Sequence, residues 1–198
     1  VAQELCRKVA RQAATGSKKA IHVTTDNLEK LLGPPRYPRD GVPHREQVGS
    51  ATGLVVTEAG GDVVTLEASL LEPLGSAPVL HLTGNLGTVM KESAQAAMTY
   101  IRAAQHAWAS CRTLRHDVHI HIPAAAIPKD GPSAGLTIGV ALASALSGIP
   151  VRGDVAMTGE MTLRGKVLAV GGVRDKVLAA HRAGIRMVVL PEENRADL

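Results

Sequence analysis

The stretch Pro128-Lys129-Asp130-Gly131-Pro132-Ser133-Ala134-Gly135 gathers residue types that suit acyl transfer. An alternating, strand-like run ends before it and a small-residue, aliphatic run follows, so the chain passes from a strand through a tight loop into a helix. Pro132 fits the first helical position, where a missing N–H costs nothing. Ser133 then falls in the first turn, beside backbone N–H groups without intrahelical acceptors and at the positive end of the helix dipole. Such donors suit a developing oxyanion, and the Ser133 hydroxyl is placed to attack the carbonyl whose oxygen they would hold. The small residues Gly131, Ala134 and Gly135 let a substrate backbone approach. An isolated Gly-Pro-Ser is more often an ordinary helix cap, so a nucleophile reading needs a base.

No G-x-S-x-G elbow is present. His119 and His121 alternate on one face of a strand, where they line a sheet surface more readily than they serve a triad. Lys176 is the better candidate. On a helical wheel for residues 173–183 it falls with Val173, Val177, Ala180 and Ala183, opposite Arg174, Asp175, His181 and Arg182. Desolvation on that apolar face disfavours the ammonium and lowers the lysine pKa, leaving an amine able to accept the Ser133 proton. The competing outcome is a lysine whose stem packs while its head snorkels to water.

The elements that must position these groups follow from periodicity. Residues 1–14 and a short stretch through Leu28, Leu31 and Leu32, with caps at Thr24-Thr25-Asp26, read as two helices too small to bury a core alone. Pro34 to Pro43 reads as a linker. Strands are expected at Gly53–Thr57 and Asp62–Ala68 around the turn residues Glu58-Ala59-Gly60-Gly61, and at Val79–Leu82. Helix from Leu86 to about Trp108 and strand at Val118–Ile122 come next. After the Ser133 loop, a buried helix runs to Leu146, then strand at Val155–Thr158, a short stretch Leu163–Val167, helix at Val173–Ala183 and strand at Arg186–Leu190. The order βββ-α-β-α-β-α-β implies an α/β (α+β) domain of two layers on a mixed sheet.

Composition excludes several classes. The 198 residues are 45% hydrophobic and 20% charged, which excludes disorder and allows one domain plus an appendage. Only Tyr37, Tyr100 and Trp108 are aromatic, too few for a nucleic-acid module built on stacked rings. The net charge of +4 arises within residues 1–40, so the remainder carries no basic groove. Cys6 and Cys111 are isolated, which fits a reducing compartment and matches no metal spacing. Residues 131–151 lack charge, but Pro132, Pro150 and four glycines cut the dense apolar part to Leu136–Leu146, short of the ~20 residues of a membrane span.

With these motifs in view, the chain resembles the proteolytic domain of the Lon family of ATP-dependent Ser–Lys proteases. The resemblance rests on the loop around Ser133, on Asp154-Val155-Ala156-Met157-Thr158-Gly159-Glu160-Met161-Thr162-Leu163-Arg164-Gly165, and on Gly171-Gly172-Val173-Arg174-Asp175-Lys176, with Thr83–Ser93 resembling the turn and start of the first long helix. It runs in order over about residues 48–198; the segments Leu70–Pro78 and Trp108–Asp117 depart from the family pattern. The resemblance implies that Ser133 is the nucleophile and Lys176, 43 residues later, the general base. It implies that Thr158 orients the lysine, and that Asp130 belongs to a loop whose conformation differs between active and inactive forms; Ala134 supports the site beside Ser133. Residues 1–33 are then the end of the helical subdomain of an AAA+ module, 34–48 a linker and 49–198 the proteolytic domain, expected to continue past Leu198.

The same resemblance implies hydrolysis of unfolded or damaged proteins in homohexameric rings, in the cytoplasm, or in a mitochondrial matrix or peroxisome for a eukaryotic source. No Walker A sequence occurs, so no cofactor or metal is expected within the chain, and ATP and magnesium belong to an ATPase domain outside it. Neither a membrane nor nucleic acid is an expected partner. Two rivals share features with this reading. A GHMP-type small-molecule kinase uses a Pro/Gly/Ser loop at a helix start to cradle phosphate, with a denser Gly-Ser-Ser run than is present here. A non-catalytic Lon-like assembly module would lack Ser133 or Lys176.

Overall fold

The computed structural model describes residues 2–15, 22–33, 46–57, 60–73, 75, 78–105, 115–124 and 126–198. The expected linker from Pro34 to Pro43, the turn residues Glu58 and Ala59, Tyr37, Trp108 and Cys111 lie outside them. The chain divides into two compact units, Val1–Asp40 and Gly41–Leu198. In the first, α1 spans Ala2–Ala14 and α2 spans Thr25–Leu32. The Thr24 N–H donates to Asn27 Oδ1 (2.9 Å), one half of a capping box. Gly33, at φ 83°, closes α2 with its N–H on the Glu29 carbonyl.

The second unit holds the sheet. Strands β1 (Ser50–Thr57) and β2 (Gly60–Leu71) form an antiparallel hairpin longer than the sequence pattern suggests, with Thr57 opposite Gly60. The four-residue turn expected there contracts to two positions because both glycines join the strand. β3 (Leu80–Thr83) and β4 (Asp117–His121) run parallel, joined through α3 (Thr88–Ala104). After a 3₁₀ turn at Pro132–Ala134 come α4 (Gly135–Ser147) and β5 (Val155–Met157). β6 (Glu160–Met161) and β7 (Val167–Leu168) form a separate two-stranded ribbon. The single stretch expected at Leu163–Val167 is the turn of this ribbon and its second strand, and Leu163 is exposed. Helix α5 (Val173–Arg182), β8 (Met187–Val189) and a 3₁₀ segment at Glu192–Asp197 complete the unit. The six-stranded mixed sheet has the order β3-β4-β2-β1-β5-β8.

Alternation sets what each face buries. Ala51, Leu66, Ala68, Val118 and Ile120 point toward α3 and α4 and form the main core with Met90, Ala94, Ala97, Ile101, Ile138, Leu142 and Leu146. The long aliphatic run is the buried helix anticipated from its uncharged sequence, and among the described residues no helix is long and apolar enough to cross a membrane. Leu54, from the other face of β1, joins Ala156, Ala180 and Ile185 beneath α5. Helices α3 and α4 therefore cover one face, and α5 adds a cover on the back of the central strands. Close approach of α5 needs a residue without a side chain at Gly61, where a Cβ would lie 2.0 Å from the Asp175 carbonyl oxygen.

Replacing Gly61 with alanine forces α5 off the hairpin or bends the strand. The expected loss is about 1–3 kcal/mol of unfolding free energy, read as a lower urea midpoint at unchanged slope. A midpoint equal to that of the wild type would show that α5 seats without this contact.

Candidate active site

Three segments meet at one pocket of about 370 Å³, lined by Val55, Val56, Asp130, Pro132, Ser133, Ala169, Val170, Gly171, Gly172 and Lys176. The first is the loop ahead of α4. Gly131, at φ 123°, adopts a backbone conformation that L side chains rarely take, and this turns the chain into the Pro132–Ala134 3₁₀ turn. Three bonds from outside fix that turn. Ser93 Oγ of α3 donates to the Pro132 carbonyl (3.0 Å), the Gly159 N–H donates to the Ser133 carbonyl (2.9 Å), and Thr158 Oγ1 donates to the same carbonyl (3.2 Å). Ser133 is half-buried. Ala134 is buried in the core and does not line the pocket.

The second contributor is α5, which places Lys176 at 2% exposure. Its pKa lies below the ordinary lysine value because burial penalises the ammonium. The amine does not snorkel to water. It donates to Thr158 Oγ1 at 3.1 Å, and Thr158 is itself fully buried. Among the described residues no hydrogen bond joins the amine to the Ser133 hydroxyl; the two groups share the pocket, and Thr158 bridges Lys176 to the backbone of Ser133.

Asp130, from the same loop as Ser133, is occupied elsewhere. Its Oδ1 accepts from the Met90 N–H and from the Gly131 N–H, both at 2.9 Å. It thereby caps α3 from outside, where the helix's own N-cap is Gly87 without a side chain. A Cβ on Gly87 would lie 2.2 Å from the Asp130 carboxyl carbon.

His119 and His121 do not reach the pocket. Their rings hydrogen-bond Thr83 Oγ1, through Nε2 at 2.9 Å and Nδ1 at 2.7 Å, on the β3–β4 side of the sheet. Among the described residues no group of three or more His, Cys, Asp or Glu could hold a metal ion. The structure adds contributors that motif reading had not assigned: Val55 and Val56 at the end of β1, and the Ala169–Gly172 wall. Val55-Val56 carried only a strand signal, and Gly171-Gly172 drew attention only as the run into α5.

The class defined by this arrangement is an α/β domain on a mixed sheet, with a helix-start serine and a buried lysine at one pocket. Residues 22–198 match the family model for the Lon protease (S16) C-terminal proteolytic domain. The chain is 57% identical over 98% of its length to a Lon protease of Syntrophomonas wolfei, covering 24% of that protein. It is 51% identical over 100% of its length to a Lon protease of Brevibacillus choshinensis, covering 25%, and 50% identical over 98% to Lon protease 1 of Thermus thermophilus, covering 24%. The chain thus spans about a quarter of the length of the curated relatives it matches. It belongs to the Lon proteolytic-domain family, a family of serine peptidases. The kinase reading is not favoured by these matches.

A lysine whose pKa is depressed by folding costs stability wherever the unfolded chain holds a proton that the folded site resists. Between the lowered value and the ordinary lysine value near 10.4, the unfolded state binds more protons, so stability rises with pH. Lys176→Met removes this effect. The variant is expected to unfold at a higher urea concentration than the wild type at pH 7, with the gain fading as pH approaches about 10. A gain independent of pH would mean that the amine titrates alike in both states.

Proposed function

We propose that this chain is the proteolytic part of an ATP-dependent serine endopeptidase that cleaves unfolded or damaged polypeptides through a Ser133–Lys176 dyad. The observation that carries the reading is the Lys176 amine: buried, depressed in pKa, held by Thr158 and facing the same pocket as Ser133. Neutral Lys176 takes the Ser133 proton as Oγ bonds to the scissile carbonyl carbon. The backbone N–H groups of Ser133 and Ala134 receive the oxyanion. The carbonyl re-forms as the C–N bond breaks, the leaving amine takes the proton from Lys176, and water hydrolyses the acyl-enzyme by the reverse order of transfers.

The wider reading follows the family. Residues 1–33 are proposed as the end of an AAA+ helical subdomain, 34–48 as a linker and 49–198 as the proteolytic domain. ATP and magnesium act in an ATPase domain outside this chain, and the assembled enzyme is a hexameric ring that acts on unfolded polypeptide in the cytoplasm.

Two substitutions test the dyad. Ser133→Ala is expected to abolish peptide hydrolysis in the parent enzyme and leave its ATPase activity largely intact. Residual cleavage within a few fold of the wild type would remove Ser133 from the mechanism.

Lys176→Arg is expected to be nearly as damaging as Lys176→Ala, because a guanidinium stays protonated at any usable pH and cannot act as base. Thr158→Val, which removes the amine's partner and leaves the amine, should slow acylation less than either. Rates measured from about pH 6 to 10 bracket a lowered lysine pKa, and activity should rise as the amine deprotonates. Substantial activity of the arginine variant anywhere in that range would eliminate the dyad.

A further inference from the structure

The pocket wall formed by Ala169–Gly172 belongs to neither sheet: β7 ends at Leu168 and α5 starts at Val173. A bare loop next to a substrate pocket has polar backbone groups to satisfy and freedom to move. Here Asn194, from the Glu192–Asp197 turn, supplies the missing partners at Val170. Asn194 accepts from the Val170 N–H through Oδ1 and donates to the Val170 carbonyl through Nδ2, both at 2.9 Å. A neighbouring strand would offer those same two bonds, so one carboxamide replaces a strand along this edge. Its second amide hydrogen goes to Asp197 Oδ2 (2.7 Å), which fixes the carboxamide's orientation. The Glu193 carboxylate accepts from Lys166 Nζ at 2.9 Å. The turn also reaches α5, where Arg174 Nε donates to the Asp197 carbonyl at 3.4 Å.

Asn194 is 4% exposed, unusual for a side chain this polar, and its bonds account for the burial. Its fixed target, Val170, lines the same pocket as Ser133. Lys176 is held separately, by burial under α5 and by Thr158.

We infer that Asn194 is a positioning residue: by clasping the Val170 backbone it sets the width of the pocket and hence which substrate side chains the site accepts. The inference rests on the proposed dyad and adds a specificity element to it. With the clasp intact, Val170 holds a bulky apolar side chain against Val55 and Val56. Without it, the wall relaxes and that contact weakens, while the serine and lysine keep their own supports.

The test uses the parent enzyme with Asn194→Leu, which is similar in size and makes no hydrogen bond, and Asn194→Asp, which keeps the acceptor for the Val170 N–H and loses the donor. Active sites are counted by the burst of p-nitrophenolate from p-nitrophenyl acetate. In that burst Ser133 Oγ gains the acetyl group, the ester C–O bond breaks and Lys176 receives the hydroxyl proton. Peptide kinetics then compare two substrates, with alanine or leucine preceding the scissile bond. Per titrated site, Asn194→Leu should raise KM for the leucyl peptide about ten-fold, the weight of two hydrogen bonds, with kcat and the acid limb of the pH profile nearly unchanged and a smaller effect on the alanyl peptide. Asn194→Asp should lie between. Fewer titratable sites with wild-type kinetics in those that remain would assign Asn194 to folding alone and overturn the inference. So would a fall in kcat with a displaced acid limb and no change in KM. A burst retained in Ser133→Ala would overturn the dyad itself, and this inference with it, a result separable from either outcome at Asn194.

Discussion

An amine at 2% exposure in a domain with an aliphatic core costs free energy for as long as it carries a proton, and much of the fold keeps water from Lys176. The amine sits on the inner face of α5, and α5 seats deeply only because the surfaces beneath it lack side chains where it touches. Gly61 admits the helix backbone, and at Gly172 the start of α5 lies so near Val56 that a Cβ would fall 2.5 Å from Cγ2 of that valine. Gly172 also has φ 69°, so the turn into α5 is one that a residue with a side chain would resist. The apolar cluster of Leu54, Ala156, Ala180 and Ile185 packs the same inner face of the helix. The sheet, the hairpin and two glycines thus converge on one result, a lysine that is easier to deprotonate.

The nucleophile loop is held with comparable thoroughness. Lys129 exchanges backbone bonds with the segment before α3, its carbonyl accepting from Gly87 and its N–H donating to Asn85. Its ammonium donates to the carbonyls of Gly84, Ala124 and Ile127. Asn85 and Ala124 have φ of 58° and 60°, uncommon outside glycine and costly for alanine by roughly 1 kcal/mol. The two residues belong to different segments, one before α3 and one after β4, and Lys129 joins them, its N–H on the Asn85 carbonyl and its ammonium on the Ala124 carbonyl. Asp130 then joins the start of α3 to the start of the Pro132 turn, so two helix N-termini share one carboxylate. Any movement of Asp130 that freed it toward the pocket would leave the Met90 N–H without this acceptor, which ties the state of the loop to the end of α3.

Much of this was legible in the sequence where one residue's chemistry dominates its surroundings. Pro132 and Gly131 announced the turn ahead of α4, and the helical wheel placed Lys176 inward because Val173, Val177, Ala180 and Ala183 share its face. Leu178, the large apolar residue on the opposite side of that wheel, is indeed exposed. What escaped was set by distance in space. Asn194 lies 24 residues from Val170 and carries no local signal, since a buried carboxamide looks in sequence like any turn residue. The outside cap on α3 could not be read because its donor helix and its carboxylate are 40 residues apart. The β6–β7 ribbon was compressed into one stretch because two-residue strands fall below the length at which alternation can be counted.

Thr158 decides how these supports act together. A hydroxyl has one hydrogen, and that hydrogen is directed to the Ser133 carbonyl, so toward Lys176 the oxygen can only accept. The amine must therefore spend one N–H on Thr158 in either protonation state. When charged, its remaining positions are all donors and nothing in it can receive a proton. When neutral, it keeps a lone pair, and the fixed N–H leaves that lone pair fewer directions, the pocket being the open one. The same hydrogen that polarises the threonine also holds the backbone of Ser133. Orientation of the proposed base and placement of the proposed nucleophile are thus set by a single buried hydroxyl, and burial of the amine determines how often a lone pair is present to use that geometry.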